Sequence, residues 1–144
     1  MALSQCPYHQ ASDPARRFVT LLQMALAGGR AHVADRCGRA PDGPQCWGWR
    51  KRNRSWVAQG PRVGWVVATD VFLEPAISYE VVQRLAGPER LPVSAQTLRH
   101  RLREHGMLAS IDTGRQMLLV RRTLEGIPRQ VLHLKACNLV GSLG

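Results

Sequence analysis

The feature that most constrains this chain is the short bridge between its second and third helical stretches. Glu74-Pro75 opens a helix in which Ile77, Val81, Val82 and Leu85 recur at helical spacing, and Gly87-Pro88 ends it. Leu91-Pro92-Val93 is extended, because proline cannot continue a helix and biases the residue before it away from one. Ser94 then caps a third helix that runs to about His105 and closes at Gly106. Beyond it, Met117 to Leu124 and Arg129 to Leu134 read as two strands joined around Glu125-Gly126-Ile127-Pro128.

Upstream, Asp13-Pro14 is an N-cap followed by proline at the first helical position. Phe18, Leu21, Leu22, Ala25 and Leu26 form one apolar stripe that stops at Gly28-Gly29. Arg62 to Val67 and Val71 to Leu73 read as a first hairpin around Ala68-Thr69-Asp70. The predicted fold is α+β: three helices and two β-hairpins in the order of a winged helix, the last hairpin being the wing. The segments are helix 1 at 13–28, a long loop at 29–60, a hairpin at 61–73, helix 2 at 75–86, the recognition helix at 94–105 and the wing at 117–134. Together they make one domain over 13–136, with a flexible leader or cut end at 1–12 and a tail at 137–144.

Charge narrows the class of partner. Of 144 residues, 20 are Lys or Arg against 10 Asp or Glu, a formal net charge of +10. Only Lys51 and Lys135 are lysines; all the other cations are arginines, whose planar donor fork matches phosphates and guanine edges. A field of this sign attracts polyanions, so nucleic acid ranks above acidic proteins or membranes. No apolar run is longer than that from Trp65 to Ala68, far too short to span a bilayer. The cysteines Cys6, Cys37, Cys46 and Cys137 include no zinc-clip pair, so a cytoplasmic protein with reduced thiols is the expectation.

At about 100° per residue, Ala95, Leu98 and Leu102 fall on one arc of the third helix, its core stripe. Gln96, His100 and Arg103 then point outward, with Thr97, Arg99 and Glu104 at the margins, and His105 lies near the core side. An outward face of amide, imidazole, hydroxyl and guanidinium suits base edges and phosphates. In the wing, Arg121, Arg122 and Arg129 flank the turn, while Leu118, Val120, Leu132 and Leu134 anchor it. Alternation puts Arg121 and Arg122 on opposite faces; such cations track a backbone or protect a sheet edge.

The loop at 29–60 holds Trp47, Trp49 and Trp56 around Arg50, Lys51, Arg52 and Arg54. Interleaved rings and cations suit single strands. Packing is the favoured reading for Trp47, Trp49 and Trp65, which leaves Trp56 as the stacking candidate.

Motifs for chemistry are sparse. Cys6, His9, Cys37 and Cys46 lack regular zinc spacing, so no metal is expected. There is no Walker loop, nucleophile elbow or paired-carboxylate motif. The cluster of His32, Asp35 and Cys37 has no third orienting group. The expectation is therefore a non-catalytic protein without cofactor or small-molecule substrate.

The stretch from His32 to His133 resembles a C-terminal winged-helix module of primase-, helicase- or ATPase-like proteins of bacterial mobile elements and phages. The residues that carry the likeness are Arg30-Ala31-His32-Val33-Ala34-Asp35, Trp47-Gly48-Trp49-Arg50, Gly64-Trp65, Leu91-Pro92-Val93-Ser94, Thr97-Leu98, Gly106-Met107-Leu108-Ala109-Ser110 and Val120-Arg121-Arg122-Thr123-Leu124-Glu125-Gly126. The resemblance implies an accessory module attached to an upstream ATPase or primase domain, and no catalytic residue here. The reading is thus a DNA-binding accessory module acting on duplex or fork; a winged-helix protein-docking module without DNA contact is the alternative.

Overall fold

A helix that begins Asp-Pro has its first turn arranged by the sequence, and the computed structural model, which describes residues 13–140, bears this out at the first element. In α1 (Pro14–Ala27) the Asp13 carboxylate accepts from the Ala15 N–H at 3.0 Å. Its stripe of Phe18, Leu22, Ala25 and Leu26 is fully or almost fully buried. The leader at 1–12 lies outside the described residues, as do the last four residues of the chain.

The segment at 29–60, read above as a loop, is largely ordered into elements. It contains β1 (His32–Ala34), a 3-10 turn (Pro44–Trp47), and a hairpin of β2 (Trp49–Arg52) and β3 (Ser55–Ala58). The strand β1 is short and buried on both sides, so it carries no alternation for a sequence reading to detect. The β2–β3 turn is Asn53-Arg54, both at positive φ (48° and 67°), where the usual signal is Asn-Gly. Gly48 at φ 86° roots the hairpin: a Cβ there would lie 2.0 Å from the Ala31 carbonyl oxygen.

The first predicted hairpin forms as β4 (Arg62–Val67) and β5 (Asp70–Leu73). Helix α2 (Pro75–Ala86) follows, its first turn capped by Glu74 accepting from the Ile77 N–H at 2.7 Å. Val81 and Val82 are buried as the periodicity requires, but Ile77 is 40% exposed. Ser78 takes the inward place beside it, its hydroxyl donating to the Glu74 carbonyl at 2.7 Å.

The bridge to α3 (Ala95–Glu104) is held by one buried amide. Gln83 accepts from the Leu91 N–H at 2.8 Å and donates to the Leu91 carbonyl at 3.2 Å and to the Tyr79 hydroxyl at 2.9 Å. The Tyr79 hydroxyl donates in turn to the Val93 carbonyl at 2.6 Å. Ser94 caps α3 by accepting from the Thr97 N–H at 3.2 Å. His105, assigned above to the core side, is instead exposed at the C-cap, where its Nε2 lies 2.9 Å from Asp13 Oδ2. It ties the end of α3 to the start of α1.

The last hairpin is tighter and shifted relative to the sequence reading. Strand β6 covers Val120–Leu124 and β7 covers Ile127–Lys135, joined by the two-residue turn Glu125-Gly126. Both turn residues have positive φ (54° and 76°), as a two-residue hairpin turn of this hand demands. Met117 lies outside the strand, in a local bridge with Asp112. The segment after 136, read as tail, holds a short helix α4 (Cys137–Val140) with Leu139 buried.

Both hairpins join one five-stranded sheet of order β1-β4-β5-β7-β6, parallel at β1–β4 and antiparallel elsewhere. The register puts Val71, Leu73, Leu132 and Leu134 on one face, all buried. Trp65, Phe72 and His133 form a cross-strand row on the other. The architecture is mixed α+β.

Candidate nucleic-acid interface

The solvent face of α3 follows from its two anchors. Leu98 and Leu102, four apart, are buried, and helical geometry then turns Gln96, His100 and Arg103 away from the core. Those three and Thr97 are exposed. Arg99 is not part of that free set: it is half-buried, and its Nε is enclosed without a hydrogen-bond partner. Arg101, which the sequence reading passed over, is exposed at the other margin, 3.6 Å from Glu104. An exposed pair of this kind contributes little stability, so the Arg101 guanidinium is available to another anion.

The arginines of the last hairpin divide between the two faces. Arg122 and Arg129 are directly paired across β6 and β7, so they share a face. Arg122 lies over the Phe72 ring, 5.4 Å from its centre, and Arg129 over Trp65 at 4.7 Å. Arg121 points the other way, opposite Gln130.

The hairpin tip is tied down. Trp65 Nε1 donates to Glu125 Oε2 at 2.7 Å, and Arg62 donates to the same oxygen. The Glu125 N–H donates to the Arg36 carbonyl at 2.8 Å. The Trp65 hydrogen bond, then the Arg62 guanidinium, hold the Glu125 carboxyl below the usual range. Arg62 also donates through Nε to His32 Nε2 at 3.1 Å. Burial, reinforced by that guanidinium, pushes the His32 imidazole pKa down.

In the β2–β3 hairpin, Arg50 folds back on the protein. Its guanidinium donates to the Ala27 carbonyl at 2.7 Å, completing the C-terminus of α1. Lys51, Arg52 and Arg54 are exposed, and Arg52 and Arg54 have no ion-pair partner among the described residues. Lys51 faces Trp56 across the hairpin, its Nζ 5.9 Å from the ring centre. Trp56 is 37% exposed and Val57 41%, whereas Trp47, Trp49 and Trp65 are buried.

The two basic clusters are rooted at opposite ends of one helix. Arg50 anchors the hairpin at the C-terminus of α1, and His105 anchors α3 at its N-cap. A 14-residue helix separates these roots by about 20 Å.

Among the described residues, no group of three or more His, Cys, Asp or Glu is placed to hold a metal ion. The Asp35 carboxylate accepts from the Cys37 and Arg39 N–H groups, a local turn, and His32 is engaged with Arg62. No helix among the described residues is long and apolar enough to cross a membrane. Compared with protein-family models, curated proteins and solved structures, the chain matches none.

Proposed function

We propose that this chain is a winged-helix nucleic-acid-binding module, with α3 as the helix that meets a DNA duplex and β6–β7 as the wing. The segment order β5, α2, α3, β6, β7, with β7 central and β5 and β6 beside it, supports that reading of the fold. The observation that carries the function is the solvent face of α3, where Gln96, Thr97, His100 and Arg103 stand together with Arg101 at the margin. In this reading the module serves a larger replication or mobile-element protein, and an upstream ATPase or primase domain is its natural partner.

A salt-titrated binding assay on duplex, forked and single-stranded DNA tests it. Affinity is expected to fall steeply with salt, by about 0.9 log units per tenfold increase for each duplex phosphate contacted. The double variant Arg101→Glu, Arg103→Glu is expected to weaken duplex binding at least about tenfold through lost contacts and repulsion. Unchanged affinity removes α3 as the interface. The docking alternative has one observation in its favour: Arg122 and Arg129 lie against the protein's own rings. It predicts little response to either salt or charge reversal.

A further inference from the structure

Three residues far apart in sequence meet at one end of the β5–β7 pair. Ser110, in a single bridge alongside β7, has its Oγ 2.6 Å from His133 Nδ1. His133 Nε2 is 2.9 Å from Asp70 Oδ1, and the same oxygen accepts from Lys135 Nζ at 2.9 Å. The protons in this chain are fixed by its ends. Asp70 is held in the carboxylate form by its hydrogen bonds to His133 and Lys135, which lower its pKa. A carboxylate only accepts, so His133 donates from Nε2. Neutral imidazole then has its lone pair at Nδ1, facing the serine hydroxyl.

That is the order of a nucleophile, a base and a group that orients the base. The imidazole ring is steadied by Phe72, whose centre lies 4.8 Å away. Ser110 also lines an open cleft of about 420 Å³, together with Asp112, Arg121 and Arg122. A hydroxyl with a base behind it, and two arginines against one carboxylate along the same cleft, suit an electrophile with negative charge.

We propose that Ser110 is a nucleophile, activated by His133 and Asp70, for carboxylic esters that carry an anionic group. Ser110 Oγ bonds to the acyl carbon while its proton passes to His133 Nδ1. The bond from that carbon to the leaving oxygen breaks, and the departing alcohol takes the proton from Nδ1. Water then attacks the acyl-serine, its proton moving to Nδ1; release of the acid returns that proton to Ser110. Asp70 keeps the imidazole in the accepting tautomer throughout, and the guanidinium of Arg121 or Arg122 balances the charge of the substrate.

The test uses the full chain with an alkyl fluorophosphonate, and mass spectrometry to find the modified residue. Ser110 is expected to be labelled in the folded protein, with no label in Ser110→Ala. Asp70→Ala removes the acceptor that keeps the imidazole proton on Nε2, so labelling is expected to slow at least about tenfold. Thermal melting of both variants separates a change in reactivity from a loss of fold. Absence of label on Ser110, or equal labelling of a folded Asp70→Ala, overturns the proposal and leaves a hydrogen-bonded strut. For the substrate class, 4-nitrophenyl succinate is expected to turn over about fivefold faster than 4-nitrophenyl butyrate, a preference that Arg121→Gln reduces. Equal turnover of the two esters overturns the anionic class.

Discussion

His32 shows how one residue's surroundings set a solution property. Its Nδ1 faces the Gly60 carbonyl at 3.0 Å, while Nε2 accepts from the Arg62 guanidinium. Protonation would place a hydrogen on Nε2, directly against that cation. The folded state therefore binds this proton more weakly than the unfolded chain does, whose imidazole titrates near 6.5. The His32 contribution to stability is complete above about pH 6.5 and is lost progressively as pH falls from there toward the lowered folded value. Glu125 and Asp70, whose folded pKa values are also lowered, add a second decline as pH falls through the carboxylate range. Urea midpoints measured between pH 7.5 and 5.5 are expected to decrease, and His32→Gln is expected to flatten that decrease; a slope unchanged by this substitution would place its cause elsewhere.

At the scale of elements, the bridge between α2 and α3 depends on Gln83. Replacing it with Ala strands the N–H and carbonyl of Leu91, which is itself 4% exposed. Urea unfolding of Gln83→Ala is expected to show a loss of about 2 kcal/mol, the usual penalty for buried polar groups left unpaired. No loss would mean that the bridge reorganises to find other partners. Helices α1 to α3 were legible because each begins with a side-chain cap and repeats a stripe such as Phe18, Leu22 and Leu26. The segment between Arg30 and Gly60 was not, for two physical reasons. Val33 and its neighbours in β1 are buried without alternation, and Asn53-Arg54 reaches a turn conformation more often marked by glycine. The outward face of α3 could be placed from Leu98 and Leu102 alone, but the half-burial of Arg99 depends on tertiary neighbours. Ser110, His133 and Asp70 leave no sequence pattern, since three separate elements bring them together.

On the scale of the whole molecule, α1 carries at its two ends the anchors of two basic clusters of different chemistry. At its N-terminal end, α3 presents polar and cationic side chains to solvent. At its C-terminal end, the β2–β3 hairpin offers the exposed ring of Trp56 beside Lys51, Arg52 and Arg54. The roots of the two clusters lie about 20 Å apart, the rise of about six base pairs of duplex. Stacking on an aromatic needs an unpaired base, whereas groove and phosphate contacts do not, so the two ends are expected to respond to different parts of a fork. Trp56→Ala is expected to weaken single-strand binding by about tenfold, since one lost base–aromatic stack is worth about 1–3 kcal/mol, with duplex affinity nearly unchanged. Arg101→Glu with Arg103→Glu is expected to do the reverse. Forked DNA feels both losses only if one molecule engages both arms at once, so its affinity is the decisive reading. If Trp56→Ala leaves fork and single-strand binding untouched, the hairpin has no part in the interface and the two ends of α1 are not functionally linked.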